Sequence, residues 1–375
     1  MGPTFFSIIY KKIVKPIFFL FDAESVHNLV SFLGELMGKS VTATITLEKL
    51  FGKKHPSLKQ KIVGIDFESP VGLAAGFDYE AKLTQILPSL GFGFNTVGTI
   101  TNLAYGGNPR PMLGRLPKSK SLMVNKGFKN KGARWTTGEL SKLDFKIPLG
   151  ISIGKSNFQE VATQKTAIED ILKAYSVFEK SNIKNAYYEI NISCPNLSGR
   201  VTFYPPDKLD ELLTGTDGLR LKKPLFVKMP IDKKDKEVLA MLDVIAKHNV
   251  KGVIFGNVQT NRSDPTLDPS EVAKFKHGNF SGKPTEKRSN ELIALSYKNY
   301  GKKLVIVGCG GVFSAQDAYK KIKLGASLIQ LITGLIYEGP LLVSDINKKL
   351  PDLLKKDGFK NISEAIGADN KPFPL

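Results

Sequence analysis

Cysteine is scarce in this chain of 375 residues, which contains only Cys194 and Cys309. Two cysteines are too few for a disulfide framework or a cysteine-rich zinc site, so a reducing compartment is the default. The four histidines lack metal-ligand spacings such as HExxH, and we therefore expect no metal. Long apolar runs are missing too, because lysines interrupt the Phe-rich N-terminus, and no run approaches the roughly 18–20 residues of a transmembrane helix.

Acidic residues are in the minority, since 54 Lys and Arg stand against 35 Asp and Glu and the net charge is +19. Such an excess is typical of proteins that bind nucleic acids, anionic membranes or anionic ligands. The basic residues are mostly lysines scattered over the whole length, with no arginine-rich block. We therefore expect no nucleic-acid partner.

The first 40 residues combine apolar, aromatic and basic side chains. Two short amphipathic helices here would expose Phe18, Phe19 and Phe21 beside lysines, which is typical of segments that lie in the interface of an anionic membrane. The alternative is a helical pair packed on the main domain. We divide the chain into an N-terminal helical extension, residues 1–40, and a main domain, residues 41–375, and predict peripheral attachment to the cytoplasmic side of the cell membrane.

The main domain alternates short β-branched runs with amphipathic helical patterns. This alternation indicates a parallel sheet covered by helices on both faces. Eight strands in succession predict an α/β fold, the (β/α)8 TIM barrel, with a doubly wound open sheet as the alternative. The predicted strands are residues 71–75, 94–98, 149–154, 187–193, 224–230, 252–257, 303–308 and 327–332. The predicted helices are residues 79–90, 158–181, 207–221, 234–248, 286–300, 314–323 and 336–350.

Polar and glycine residues cluster at the C-terminal ends of these strands, where TIM barrels place their active sites. Gly310 and Gly311 follow the seventh strand, and Thr333 and Gly334 follow the eighth. Backbone amides in these two loops commonly bind a phosphate, although such glycines can also serve only as turns. Lys228 ends an apolar strand, and a buried lysine needs an anion or an electron-rich partner such as a reduced flavin.

Cys194 directly follows the fourth predicted strand and is followed by Pro195. A thiol has an unperturbed pKa of roughly 8.5, so modest stabilisation of the thiolate makes it a competent base at neutral pH. Pro195 restricts the loop, and Asn191 and Asn196 can hydrogen-bond a substrate ring without adding charge. The alternative for Cys194 is a small buried hydrophobe, the role that we expect for Cys309.

Eight motifs together resemble the dihydroorotate dehydrogenases, most closely the membrane-associated, quinone-dependent class: VGLAAGFD, TVGT, GNPRP, GRLPKSKSL, NISCPN, VKMP, GGV and DAESVHNLV. The resemblance covers nearly the whole chain. It implies an FMN-containing barrel that oxidises dihydroorotate to orotate in de novo pyrimidine synthesis and passes the electrons to a quinone. The implied flavin contacts, together with the phosphate-loop glycines, are Ala75, Gly76, Thr99, Ser152, Asn191, Lys228, Gly256, Gly282, Gly310, Gly311, Thr333 and Gly334.

The resemblance also implies roles around the substrate. Cys194 falls on the general-base position, which takes a proton from C5 of the substrate while hydride leaves C6 for the flavin. The quinone-dependent class normally carries serine there, whereas cysteine is typical of the soluble classes. The implied substrate contacts are Asn191, Asn196 and Asn257.

Three polar substrate contacts of the family are changed together, because Tyr79 replaces a lysine, Val124 an asparagine and Val258 a threonine. We expect Lys126 to supply the missing charge to a substrate carboxylate, with Tyr79 and Asn125 adding hydrogen bonds; the alternative is a solvated loop lysine. Two other functions stay open, a paralogue that oxidises a related cyclic or carboxylate substrate, and a catalytically silent flavin-binding protein.

Overall fold

The structure, a computed structural model, describes residues 5–370 apart from residues 198 and 200. Eight parallel strands close into a barrel and follow one another around it in chain order. The eighth strand pairs with the first through Ile329 and Val71, and this closure excludes the open sheet. All eight predicted strands are confirmed: Val71–Leu73, Phe94–Ile100, Leu149–Ile153, Tyr187–Asn191, Leu225–Met229, Val250–Phe255, Val305–Cys309 and Leu328–Leu331.

Helices cover the outside of the barrel. Helix Gln164–Glu179 shows why they form: the Thr163 side chain accepts a hydrogen bond from the N–H of Thr166, and apolar residues three or four apart, such as Ile171 and Ala174, are buried. The helices after the second strand are Ala133–Leu140, Gln164–Glu179, Pro206–Gly218, Asp235–Ile245, Pro269–Val272, Glu286–Tyr300, Ala315–Lys323, Thr333–Glu338, Leu342–Lys356 and Ile362–Ala365.

Two predicted helices depart most from the structure. Residues 79–90 contain only the 3-10 helix Leu87–Leu90, because the Asp78 carboxylate accepts the N–H groups of Lys82 and Leu83 at 2.8 and 2.9 Å and holds the chain in a turn. The predicted helix 336–350 is two helices, since Gly339 adopts a φ of 105° and Pro340 follows it.

Two small antiparallel sheets accompany the barrel. Strands Gln60–Ile62 and Ile65–Phe67 pack at its N-terminal end, where the Phe67 and Phe94 rings are 5.5 Å apart. Strands Leu113–Leu116, Ser121–Val124 and Asn279–Gly282 form a three-stranded sheet. This second sheet joins segments that follow the second and sixth barrel strands.

The N-terminal extension is helical, as predicted. A first helical stretch covers Phe5–Ile9, a π-helical turn Tyr10–Val14, and Lys15–Phe19. Helix Ala23–Lys39 begins after Asp22, whose carboxylate accepts the N–H of Ser25 at 2.8 Å. A third helix, Val41–Phe51, was not predicted, and the predicted boundary after residue 40 falls between the second and third helices.

Exposed apolar surface is concentrated on these three helices. In the part of the chain that the structure describes, every exposed large hydrophobic side chain except Leu103 lies between Phe6 and Leu50. The predicted exposure of Phe21 is confirmed, whereas Phe18 and Phe19 are only half-exposed, because Phe19 packs on Tyr337 with ring centroids 5.7 Å apart. None of the described helices is both long and apolar enough to cross a membrane.

Candidate active site

A cavity of about 800 Å³ lies at the C-terminal ends of the barrel strands and against the N-terminal helices. Its polar lining comes from the strand ends, and its apolar lining comes from helix Ala23–Lys39 and its neighbours. Eleven of the twelve predicted flavin contacts line this one cavity: Ala75, Gly76, Thr99, Asn191, Lys228, Gly256, Gly282, Gly310, Gly311, Thr333 and Gly334. The tertiary structure therefore brings together residues from seven of the eight strand ends and from the Asn279–Gly282 strand.

Ser152 is the exception among these predicted contacts. It is fully buried, does not line the cavity, and its Oγ lies 3.1 Å from Oγ1 of Thr99. Thr99 in turn accepts a hydrogen bond from Nδ2 of Asn191 at 2.8 Å. Ser152 therefore supports Thr99 from behind.

The two glycine loops meet at one side of the cavity with their backbones exposed to it. Gly311 has a φ of 71°, and a Cβ there would lie 2.3 Å from Cβ of Glu286. A Cβ on Gly334 would lie 2.1 Å from the carbonyl oxygen of Val312. Because neither position has room for a side chain, the backbone itself forms this wall, which is how proteins commonly approach a phosphate.

Lys228 lies on the fifth barrel strand, in register with Asn191 on the fourth, and is 5% exposed. It lines the cavity, and none of the ion pairs between described residues includes it. The buried carboxyl of Glu189 is close enough for its pKa to be lowered by Lys228 but forms no ion pair with it, so the ammonium group can still serve an anionic or electron-rich ligand. The site therefore fits a flavin on two independent observations, this lysine and the glycine-lined wall.

Cys194 is half-buried in the wall of the same cavity. Burial raises the pKa of its thiol to about 11, and the N–H of Asn196 and the ammonium groups of Lys228 and Lys155 lower it less. Burial therefore outweighs the nearby donors and cations, and the structure disfavours the thiolate of Cys194 instead of stabilising it. At neutral pH Cys194 is a thiol that must lose its proton before it can act as a base.

The predicted substrate asparagines are held by hydrogen bonds. Asn196 donates to the carbonyl of Val124 at 3.0 Å and accepts from Nδ2 of Asn279 at 2.7 Å. Asn257 donates to the carbonyl of Ser193 at 2.6 Å. Both line the cavity beside Asn191, so the three predicted amides are brought together.

The structure places Asn125 differently. Its Oδ1 accepts a hydrogen bond from Nδ2 of Asn108 at 3.0 Å, and it does not line the cavity. In this conformation the Asn125 side chain points away from the cavity, because successive residues of an extended segment point to opposite sides, and its hydrogen bond to a substrate stays a prediction. Val124 and Lys126, its neighbours, do line the cavity.

Three further residues belong to the site although the sequence analysis did not single them out. Asn108 and Asn279 orient the predicted amides, and His27 stacks on Tyr79 with ring centroids 5.5 Å apart and planes at 16°. The only available signal was that Asn108 and His27 lie inside quoted motifs. Residues 5–197, 199 and 201–370 contain no cluster of three or more His, Cys, Asp or Glu able to hold a metal ion.

A closed barrel with a polar cavity at its strand ends is the architecture of the TIM-barrel enzymes. A family model described as dihydroorotate dehydrogenase matches residues 57–354. Proteins named dihydroorotate dehydrogenase (quinone) include one from Trichodesmium erythraeum, 35% identical over 97% of this chain and 99% of that protein, and one from Gloeobacter violaceus, 37% identical over 95% and 98%. The crystal structure of the Eimeria tenella DHODH in complex with ferulenol superposes with a TM-score of 0.83, 28% identity and coverage of 94% of this chain and 96% of that one. The chain belongs to the dihydroorotate dehydrogenase family.

Proposed function

We propose that this protein oxidises dihydroorotate to orotate in de novo pyrimidine synthesis and passes the electrons to a quinone. The observation that carries the proposal is that Cys194, Lys228, the three asparagines and both glycine loops line one cavity. The names of the relatives from Trichodesmium and Gloeobacter support the same reaction.

FMN is the proposed cofactor. The glycine wall formed by Gly310, Gly311 and Gly334 would hold its phosphate through backbone amides, and Lys228 would lie beside the electron-rich edge of its ring. When bound, FMN supplies the two-electron acceptor for the hydride that leaves C6 of dihydroorotate. Side chains of this protein would carry out the other steps, which are binding the substrate and removing its proton.

Cys194 is the proposed general base. Its Sγ removes the proton from C5 of dihydroorotate, so that the C5–C6 bond of the ring becomes the double bond of orotate. Asn191, Asn196 and Asn257 orient the substrate ring, and their hydrogen bonds to the protein limit their movement. Lys228 and Lys155 favour the thiolate form of Cys194 once the proton has left.

The apolar part of the cavity is the proposed entry route for the quinone. It is lined by side chains of the N-terminal helices, among them Val26, Val30, Leu33 and Leu47. The outer surface of those helices carries the exposed apolar residues, interspersed with lysines such as Lys12. We propose that this surface lies in an anionic membrane and attaches the protein peripherally to the cytoplasmic side of the cell membrane. The proposed units are the extension, residues 1–40, and the barrel domain, residues 41–375.

A paralogue with a related cyclic or carboxylate substrate is the second candidate. Val124 and Val258 line the cavity where the family has an asparagine and a threonine, so two polar contacts are replaced by apolar ones. Anaerobic addition of dihydroorotate to the purified protein tests both candidates. Bleaching of the flavin absorbance supports the proposed reaction, whereas an unchanged spectrum with dihydroorotate and bleaching with another cyclic carboxylate would favour the paralogue.

A further inference from the structure

We propose that Lys126 is the cation that binds the substrate carboxylate, and that helix Ala23–Lys39 of the extension forms the outer wall of this subsite. The inference rests on the proposed function and deepens it. It names a binding group on the loop between strand Ser121–Val124 and helix Ala133–Leu140, away from the barrel strands themselves.

Lys126 lines the same cavity as Cys194 and Asn196. Its Nζ is 3.3 Å from the hydroxyl oxygen of Tyr79 and 4.3 Å from the centroid of the Tyr79 ring. The ring face and the hydroxyl stabilise a cation without neutralising it. Tyr79 is therefore a platform that holds the ammonium group and leaves its charge available to a ligand.

No carboxylate of the described residues forms an ion pair with Lys126. A nearby candidate, Glu24, is occupied by Lys129. The nearby Glu24 is 3% exposed and already binds Lys129, with Nζ and Oε1 2.8 Å apart, while Nε of Arg110 lies 3.9 Å from its other oxygen. A buried cation without an ion-pair partner costs free energy, and binding of an anionic ligand removes that cost. Among the groups of dihydroorotate, only the carboxylate carries that charge.

The charge state of Lys126 agrees with this role. Burial lowers its pKa to about 8, while Glu24 and Glu80 raise it and Lys129 lowers it. The ammonium form therefore predominates at pH 7 and is strengthened further by a bound carboxylate. His27 does not compete for the anion, because burial, followed by the charges of Lys126, Lys129 and Lys82, lowers its pKa to about 3 and keeps it neutral.

The extension contributes directly to this arrangement. His27 stacks on Tyr79, and Glu24 holds Lys129, so one helix of the extension fixes both neighbours of Lys126. Substrate binding and the extension are therefore coupled through Tyr79 and Lys126.

The test is Lys126→Met in the full-length flavoprotein, with two measurements. The affinity for orotate, measured by calorimetry, should fall about 10- to 100-fold, the range for hydrogen bonds to charged groups. The dihydroorotate concentration that gives half-maximal anaerobic bleaching should rise by the same factor. Flavin content and Tm should stay near those of the wild type. The methyl ester of dihydroorotate, which lacks the negative charge, should be affected little by the substitution.

Matched variants separate charge from packing. Lys131→Met makes the same change on an exposed lysine of the same loop, whose Nζ lies 4.6 Å from the Trp135 ring, and should bind orotate normally. Lys126→Arg should retain part of the affinity. Tyr79→Lys added to Lys126→Met should restore binding, because the Tyr79 hydroxyl reaches within 3.3 Å of the ammonium position.

The outcomes distinguish this inference from the proposed function. Equal orotate affinity in wild type and Lys126→Met would overturn the inference while leaving the dehydrogenase function intact. A wild type that binds orotate but is never bleached by dihydroorotate would overturn the proposed function alone. If the wild type does not bind orotate, both are wrong.

Discussion

The proposed role of Cys194 as the general base makes the rate of flavin reduction depend on the protonation of its thiol, and that rate can be measured directly. Burial raises the thiol pKa to about 11, roughly two units above that of an exposed thiol. Two pKa units correspond to about 3 kcal/mol of additional free energy for forming the thiolate. At pH 7 only about one molecule in 10⁴ then carries the reactive thiolate, four pH units below the pKa. If Cys194 is the base, this scarcity limits proton removal from the substrate.

The assay is stopped-flow bleaching of the flavin by saturating dihydroorotate under anaerobic conditions. The thiolate fraction grows as the pH rises toward the pKa, so the rate constant should increase about tenfold per pH unit between pH 7 and 10. Cys194→Ser should be slower than the wild type and keep rising to higher pH, since a hydroxyl is a weaker acid. Cys194→Ala should lose about 10²- to 10⁴-fold, the usual contribution of a positioned acid–base group.

The second cysteine is the control for this experiment. Cys309 is also buried, and burial raises its pKa, but it ends the seventh strand, whereas Cys194 lies in the loop after the fourth. Cys309→Ala should therefore keep the slope of the pH profile. A rate that is constant from pH 7 to 10, or an alanine variant of Cys194 with nearly normal bleaching, would refute a rate-limiting role for the Cys194 thiolate.

The remaining predictions concern the cofactor and the extension. Denatured protein should release FMN, because the glycine wall offers a site for one terminal phosphate; chromatography that finds FAD, or no flavin, would contradict this. Gly334→Ala should lower the flavin content measured from the absorbance ratio, since its Cβ would meet the Val312 carbonyl at 2.1 Å, whereas Gly138→Ala, with nothing within 4 Å of the added Cβ, should retain flavin. Removal of residues 1–51 should abolish sedimentation with anionic vesicles, because nearly all exposed large apolar side chains lie there; undiminished sedimentation would show that another surface binds lipid.

The sequence by itself determined the barrel and its family. Strand runs and amphipathic helices are local patterns, since side-chain periodicity follows from the backbone of each element alone. All eight strands were therefore predictable, and the polar residues at their ends fell together once the barrel closed. The helix predicted at residues 79–90 does not form, because the Asp78 carboxylate accepts the backbone N–H groups of Lys82 and Leu83 and holds the chain in a turn. Local reasoning also left out the helix Val41–Phe51 of the extension.

Only the tertiary structure decided how the site residues behave. The pKa of Cys194 depends on how completely water is excluded from it, and burial depends on residues distant in the chain. The direction of Asn125 toward Asn108, and the position of Ser152 behind Thr99, follow from the packing around them. The contacts of Tyr79 with both His27 and Lys126 join three separate segments of the chain, and no pattern within any one of those segments specifies that they meet.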